Sequence, residues 1–204
     1  MKYRKLIILI IVWIVILLIN YYLTPFFILP FVWLISTLIL LIFTINQLVK
    51  FIKERKTLTK QRIISLLITS TLFFLTFYKF YGIPNRLIER IDWITLKYKR
   101  IEIVQKVKKG VLKPNVKWNK WVCELNFEFP IISNGGNDIG IFKNKKTNSL
   151  TIQFWVFRNF FDSPSTYIIY TEDEEQKKIY DKKITENPEN NWKLEENWYR
   201  ILGD

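Results

Sequence analysis

A chain of 204 residues has room for one ordinary domain, or for a small domain joined to a membrane part. Half of it is hydrophobic and 24% is charged, yet its mean hydropathy is only +0.07, so apolar and charged residues are segregated along it. With no histidine and one cysteine, Ser-His-Asp and Cys-His catalysis, histidine and zinc-thiolate metal sites and an intramolecular disulfide are excluded.

The formal charge of +13 invites a nucleic-acid reading. Much of the excess, however, sits beside apolar segments, where basic residues orient membrane proteins, and no nucleic-acid partner is expected. The chain lacks alanine and is rich in Ile, Lys and Asn, which suits an AT-rich bacterial genome. Cys123 reads as a small core residue.

The first apolar run, about Leu6 to Leu23, contains no charge and is about 27 Å long as a helix, close to the hydrocarbon thickness of a bilayer. Lys2, Arg4 and Lys5 precede it. The run is long for a signal peptide and no small-residue cleavage site follows, so an uncleaved anchor is expected, with Tyr21 and Tyr22 at the interface. A second span is predicted from about Phe26 to Val49, with Pro30 in its first turns and Lys50 closing it. A third runs from about Ile63 to Phe80, with Lys79 near enough to its end to snorkel. Thr37 and Thr44 share one face of the second span, and Ser65, Thr69 and Thr76 one face of the third. Both sets are expected at helix contacts, hydrogen-bonding between helices. Apart from Lys79 at the end of the third, the spans hold no charged residue in their interior, which argues against a pump or transporter.

The loop between the second and third spans holds Lys50, Lys53, Arg55, Lys56, Lys60 and Arg62 against Glu54. The positive-inside rule puts this loop and the N-terminus in the cytoplasm and, after three crossings, the C-terminal part outside. Arg86, Arg90, Lys97, Lys99 and Arg100 pull the other way. Residues 1–81 thus read as a three-helix transmembrane anchor in the cytoplasmic membrane, and residues 84–204 as an α+β domain.

That domain opens with a basic membrane-proximal helix over 85–110, after a break at Gly82-Ile83-Pro84. Leu87, Ile91, Ile94, Tyr98 and Ile101 recur at steps of four and three and form one apolar face. The face is expected to pack on the following sheet, since two heptads fall short of a coiled coil. Between Arg86 and Lys120 there are eleven basic and three acidic residues, a surface suited to anionic headgroups or an anionic envelope polymer.

Strands are predicted over Trp121–Phe129, Ile139–Phe142, Leu150–Phe160, which should be central, and Tyr167–Tyr170, forming an antiparallel meander. Thr171-Glu172-Asp173-Glu174 matches a capping box and opens a polar helix to about Ile184. Asn187 to Asn191 is a loop, and a last strand or hairpin spans Trp192 to Leu202, with Trp198 and Tyr199 closing the core. The predicted fold class is therefore a three-helix membrane part followed by an α+β domain with a mainly antiparallel meander sheet and two amphipathic or polar helices.

No phosphate loop, dinucleotide fingerprint or nucleophile elbow is present, and no cofactor, metal or catalytic residue is expected. The candidate interaction residues are Asn134, Gly135, Gly136, Asn137 and Asp138, a turn whose amides could converge on an anion, and Arg158, for which Asp162 is a possible partner. The leading expectation is a non-enzymatic binding or accessory domain held at a membrane, with an unidentified protein or envelope partner. The alternatives are an immunity-type protein that neutralises a toxin and an envelope enzyme working through Glu124, Glu128 and Asp138.

Overall fold

The computed structural model describes residues 3–24, 27–79, 81–126, 128, 130–134, 136–159 and 164–203. Its chain divides into two units, Met1–Arg90 and Ile91–Asp204. Phe26 and Phe80, the expected limits of the second and third spans, lie outside the described residues.

The first unit contains α1 (Tyr3–Tyr22), α2 (Leu29–Lys53), α3 (Lys60–Phe77) and the first turns of α4 (Gly82–Lys108). By length and composition α1 and α2 can each cross a membrane; α3 counts toward a third crossing only together with α4. The chain therefore carries two or three apolar helices of that kind. Pro30 sits in the first turn of α2, where no amide donor is missed.

The break after α3 falls at residues 78–81 rather than at Gly82-Ile83-Pro84. Lys79 and Tyr81 both have positive φ there, 47° and 58°. Pro84 is tolerated inside the first turn of α4 because its amide would have no helical acceptor.

Two indoles converge on Thr76. Trp13 Nε1 donates to its hydroxyl and Trp33 Nε1 to its carbonyl, both at 2.8 Å, so α1 and α2 are each tied to α3. Leu17, Tyr81 and Ile88 form the buried cluster beside them. Ser65, Thr69 and Thr76 are fully buried as expected, but the bonds they donate run one turn back along α3, to Gln61, Ser65 and Leu72. Thr37 and Thr44 have buried hydroxyls with no hydrogen-bond partner among the described residues. The small size of Thr37 and Thr44 lets the helices approach, while Thr76 takes part in interhelical bonding as the acceptor for Trp13. The α2–α3 loop is clamped by Arg62, which holds both Glu54 oxygens at 2.8 Å and reaches buried Gln47 at 3.2 Å.

The second unit is built on a six-stranded antiparallel sheet in the order β1-β2-β3-β4-β6-β5. The strands are β1 (Val122–Cys123), β2 (Ile139–Lys143), β3 (Leu150–Phe157), β4 (Thr166–Thr171), β5 (Trp192–Glu195) and β6 (Trp198–Leu202). The first four form the expected meander, and β3 is central. Helix α5 (Glu174–Glu186) then carries the chain across, so the last hairpin returns with β6 against β4 and β5 at the edge.

Three local expectations need correction. First, β1 covers two residues rather than Trp121–Phe129, of which Phe127 and Phe129 lie outside the described residues. Asn115 takes both backbone groups of Glu124, accepting from its amide at 2.8 Å and donating to its carbonyl at 2.9 Å, so pairing with β2 stops there. Second, β3 ends at Phe157 after an irregularity between Trp155 and Phe157, which leaves Arg158 beyond the strand. Third, the cap of α5 is Asp173, whose carboxylate accepts from the amides of Glu175 and Gln176, while Thr171 accepts from the Asp173 amide. Hydrogen bonds to that carboxylate, the largest effect coming from Asn144 Nδ2 at 2.7 Å, hold it below the usual range.

Tyr180 of α5 packs with Ile169, Tyr199 and Ile201, and Ile184 joins them. Trp93 of α4 meets Trp198 edge-on at 5.2 Å, and the Trp198 ring also meets Tyr170 and Phe154. Trp198 and Tyr199 are successive on β6 and point to opposite faces, so α4 and α5 cover opposite sides of the sheet. Cys123 is fully buried, as expected, and burial pushes its thiol up.

The face that α4 turns inward is not the predicted one. Trp93, Leu96, Val104 and Val107 are buried together with Asp92 and Arg100, whereas Leu87, Ile91, Ile94 and Tyr98 are exposed and Ile101 is half-buried. Arg100 Nη2 meets Asp92 at 2.5 Å, with side-chain exposures of 3% and 2%, and Arg100 Nε donates to the Ile132 carbonyl at 3.1 Å. The pair neutralises itself, so a stripe that reads as polar in the sequence can enter the core.

Removing one member of such a pair leaves an uncompensated buried charge and costs about 3–5 kcal/mol. Arg100→Met and Asp92→Leu should each lower the unfolding free energy of the detergent-solubilised chain, measured by urea titration, by that amount. The double variant should cost far less than the two combined. Additive losses in this mutant cycle would show that the two side chains do not act as a pair.

Candidate functional site

The turn following the 124–132 segment is a knot of backbone hydrogen bonds. Gly136 has φ +134° and Asn137 φ 65°, values suited to glycine and tolerated by asparagine. The Asn134 amide donates to the Trp155 carbonyl at 2.7 Å and its side-chain nitrogen to the Val156 carbonyl at 2.6 Å. Ser133 Oγ accepts from the Trp155 amide at 2.9 Å and donates to the Asp138 carbonyl. Asn137 Oδ1 accepts from the Ile132 amide at 3.1 Å, and its Nδ2 donates to the Asn126 carbonyl at 3.0 Å. The Asn137 amide goes to the Ser133 carbonyl at 3.0 Å. These amides and side chains therefore stitch the turn to β3 rather than converging on a ligand position.

Two candidates named separately in the sequence come together here. Arg158 Nη1 binds Asp138 Oδ2 at 2.8 Å, and its guanidinium lies 4.5 Å from the centre of the Trp155 ring. Among the described residues its ionic partner is Asp138. Asp162 and Gly135 lie outside the described residues. Glu124 and Glu128 are both exposed in non-strand segments and share no strand face.

A different feature collects charge. A cleft of about 570 Å³ opens between the C-terminal end of α4, the 110–120 linker and β2. Lys108, Lys113, Lys120 and Lys143 line it, with Glu172 as the one acid among its lining residues. Glu172 Oε1 is held by Lys108 Nζ at 2.5 Å, and Tyr170 Oη lies 2.8 Å from both. Partial burial opposes the charge on each partner, but the contact outweighs it. The Glu172 carboxyl stands below its usual range and the Lys108 ammonium above. That pair cancels, and Lys113, Lys120 and Lys143 remain as exposed cations with no ionic partner among the described residues.

Lys108, Lys113 and Lys120 belong to the basic stretch recognised in the sequence. Lys143 does not; it arrives because β2 pairs with β1 immediately after the linker, in the register Cys123 to Ile139. No spacing signal announces it. A smaller cavity of about 190 Å³, between α4 and the 125–132 segment, has mixed charge, with Lys99 and Lys106 against Glu102 and Glu128. Among the described residues no three metal-ligating side chains gather.

The chain matches no protein-family model, no curated protein and no solved structure.

If the turn is held as described, Asn137→Ala loses two hydrogen bonds and places a poorly tolerated side chain at positive φ, together about 3 kcal/mol. Asn137→Gly loses only the bonds, about 1–2 kcal/mol. Urea unfolding of the full-length chain in detergent should rank wild type above Asn137→Gly above Asn137→Ala. A neutral alanine variant contradicts the arrangement.

Proposed function

We propose that this chain is a multi-pass protein of a bacterial cytoplasmic membrane, crossing three times with its N-terminus inside. Its α+β domain works on the outer side as a non-enzymatic module that binds an anionic partner in the lysine-lined cleft. The observation that carries this reading is the cleft itself, lined by three lysines with no ionic partner among the described residues. An anionic polymer segment entering it gains several Coulombic contacts without having to displace an internal carboxylate, because Glu172 is already occupied by Lys108. The binding role is supported further by how the other candidate groups are used. Asp138 is engaged by Arg158, and Asn134 and Asn137 by backbone groups. The outward placement of the domain is supported by the basic α2–α3 loop, in which one acid, Glu54, faces six basic residues and is itself paired with Arg62.

Inorganic polyphosphate serves as the probe for the cleft, with the full-length chain in nanodiscs of zwitterionic lipid to keep headgroup charge from competing. Each cation contributes about 1 kcal/mol near a dense anionic array. The Lys113→Gln, Lys120→Gln, Lys143→Gln triple variant should therefore bind roughly a hundredfold more weakly, with a shallower salt dependence. Unchanged affinity in the triple variant refutes the cleft as the site. The orientation is tested by protease added to intact spheroplasts, which should cut the 91–204 unit while sparing the α2–α3 loop. The reverse pattern puts the domain in the cytoplasm.

A further inference from the structure

The outward face of α4 is apolar for four turns. Ile83, Leu87, Ile91, Ile94 and Tyr98 are 48%, 59%, 52%, 71% and 78% exposed, and at 100° per residue they fall on one side of the helix. The sheet does not cover them, because α4 meets it with the opposite side, through Trp93 and the Asp92–Arg100 pair. Along one edge of the stripe run Arg86 and Arg90, both exposed. Asp92 is buried on the other side of the helix, and Glu102, one turn beyond Tyr98, is exposed and paired with Lys106. The face thus offers apolar surface with basic residues along its edge. It also begins at once after the apolar helices, since only residues 78–81 separate α3 from α4.

We infer that this face of α4 lies in the interfacial layer of the bilayer, its Ile and Leu side chains at the level where acyl chains meet headgroups and its arginines on anionic headgroups. An amphipathic helix with a basic rim binds membranes in this manner, with a strength set by apolar area and anionic lipid. Tyr98 suits that layer, an apolar ring with a polar tip. A second copy of the chain fits less well. The steps Leu87, Ile91, Ile94, Tyr98, Ile101 make two heptads, fewer than a coiled coil needs, and an arginine rim would face its own like. The inference rests on membrane insertion of the preceding helices and goes beyond it, because a domain merely tethered by them would leave this face in water.

The test uses the full-length chain in vesicles of phosphatidylcholine with phosphatidylglycerol. Nitroxide labels are placed singly through Leu87→Cys, Ile91→Cys, Ile94→Cys and Tyr98→Cys. Ile11→Cys on α1 is the lipid reference and Lys178→Cys on α5 the aqueous one. Buried Cys123 is controlled by the unsubstituted chain. All labelled positions are exposed, so folding is not at stake. Collision with oxygen is compared with collision with a water-soluble nickel chelate. The stripe should show an oxygen-to-nickel ratio several-fold above that at 178, approaching that at 11. Stripe labels that match 178 while 11 remains in lipid overturn the interfacial placement and leave membrane insertion standing. A label at 11 that also matches 178 overturns both. Stripe labels shielded from both reagents, with spin–spin broadening, assign the face to a second copy and overturn the proposal.

Discussion

The orientation of α4 about its own axis depends on one buried ion pair. A helix that carries Leu87, Ile91, Ile94 and Tyr98 on one side would bury that side if hydrophobicity alone decided. It buries the other because Asp92 and Arg100, two turns apart on the same helix, meet at 2.5 Å and the arginine also reaches the Ile132 carbonyl. Desolvating two charges is costly, and the contact offsets it only with close geometry and satisfied hydrogen bonds. Here both conditions hold. Once the pair is inside, Trp93, Leu96, Val104 and Val107 follow it on the same stripe, and Trp93 comes against Trp198.

The rest of the second unit is consistent with that choice. Trp198 links α4 to β3 and β4 through Phe154 and Tyr170, while its neighbour Tyr199 faces α5. At the far end of α4, Lys108 is bound to Tyr170 and Glu172, which fixes the end of the helix beside β4 and sets one wall of the cleft. The cleft is therefore a by-product of the same packing. Just beyond α4, at Gly110, whose φ is +74°, the linker turns back with its lysines, and β2 delivers Lys143 to the same cleft.

What the sequence made legible follows from how local each feature is. The apolar helices, the strand starting at Leu150, the last hairpin and the buried Trp198 and Tyr199 all rest on periodicity within a short window, and they are found, though the strand ends at Phe157 rather than Phe160. The errors arise where a distant side chain intervenes. The strand from Trp121 stops because Asn115 captures the backbone of Glu124. The start of α5 shifts from Thr171 to Asp173 because Thr171 is engaged within the sheet, its hydroxyl 2.7 Å from that of Thr151. The inward face of α4 differs from the expected one because a charged residue counts as polar until its partner is known. For the candidate site, the Asn-Gly turn and Arg158 were each visible as local oddities. Their union through Asp138, and the entry of Lys143 into a basic cleft, are products of strand register that no local pattern encodes.

These errors share a cause with the surface they reveal. Burying two charges of opposite sign removes no net charge from the chain, but it changes which side chains remain for water or lipid. Had α4 buried its apolar stripe, Asp92 and Arg100 would face outward and the helix would present an ordinary solvated surface of mixed charge. With the pair inside, the exposed side is left with leucine, isoleucine, tyrosine and two arginines, a composition poorly suited to water and well suited to the boundary of an anionic bilayer. Bare apolar area of this kind is a liability on a free domain. On a chain whose preceding helices are apolar enough to enter a membrane, the same area has a solvent within reach.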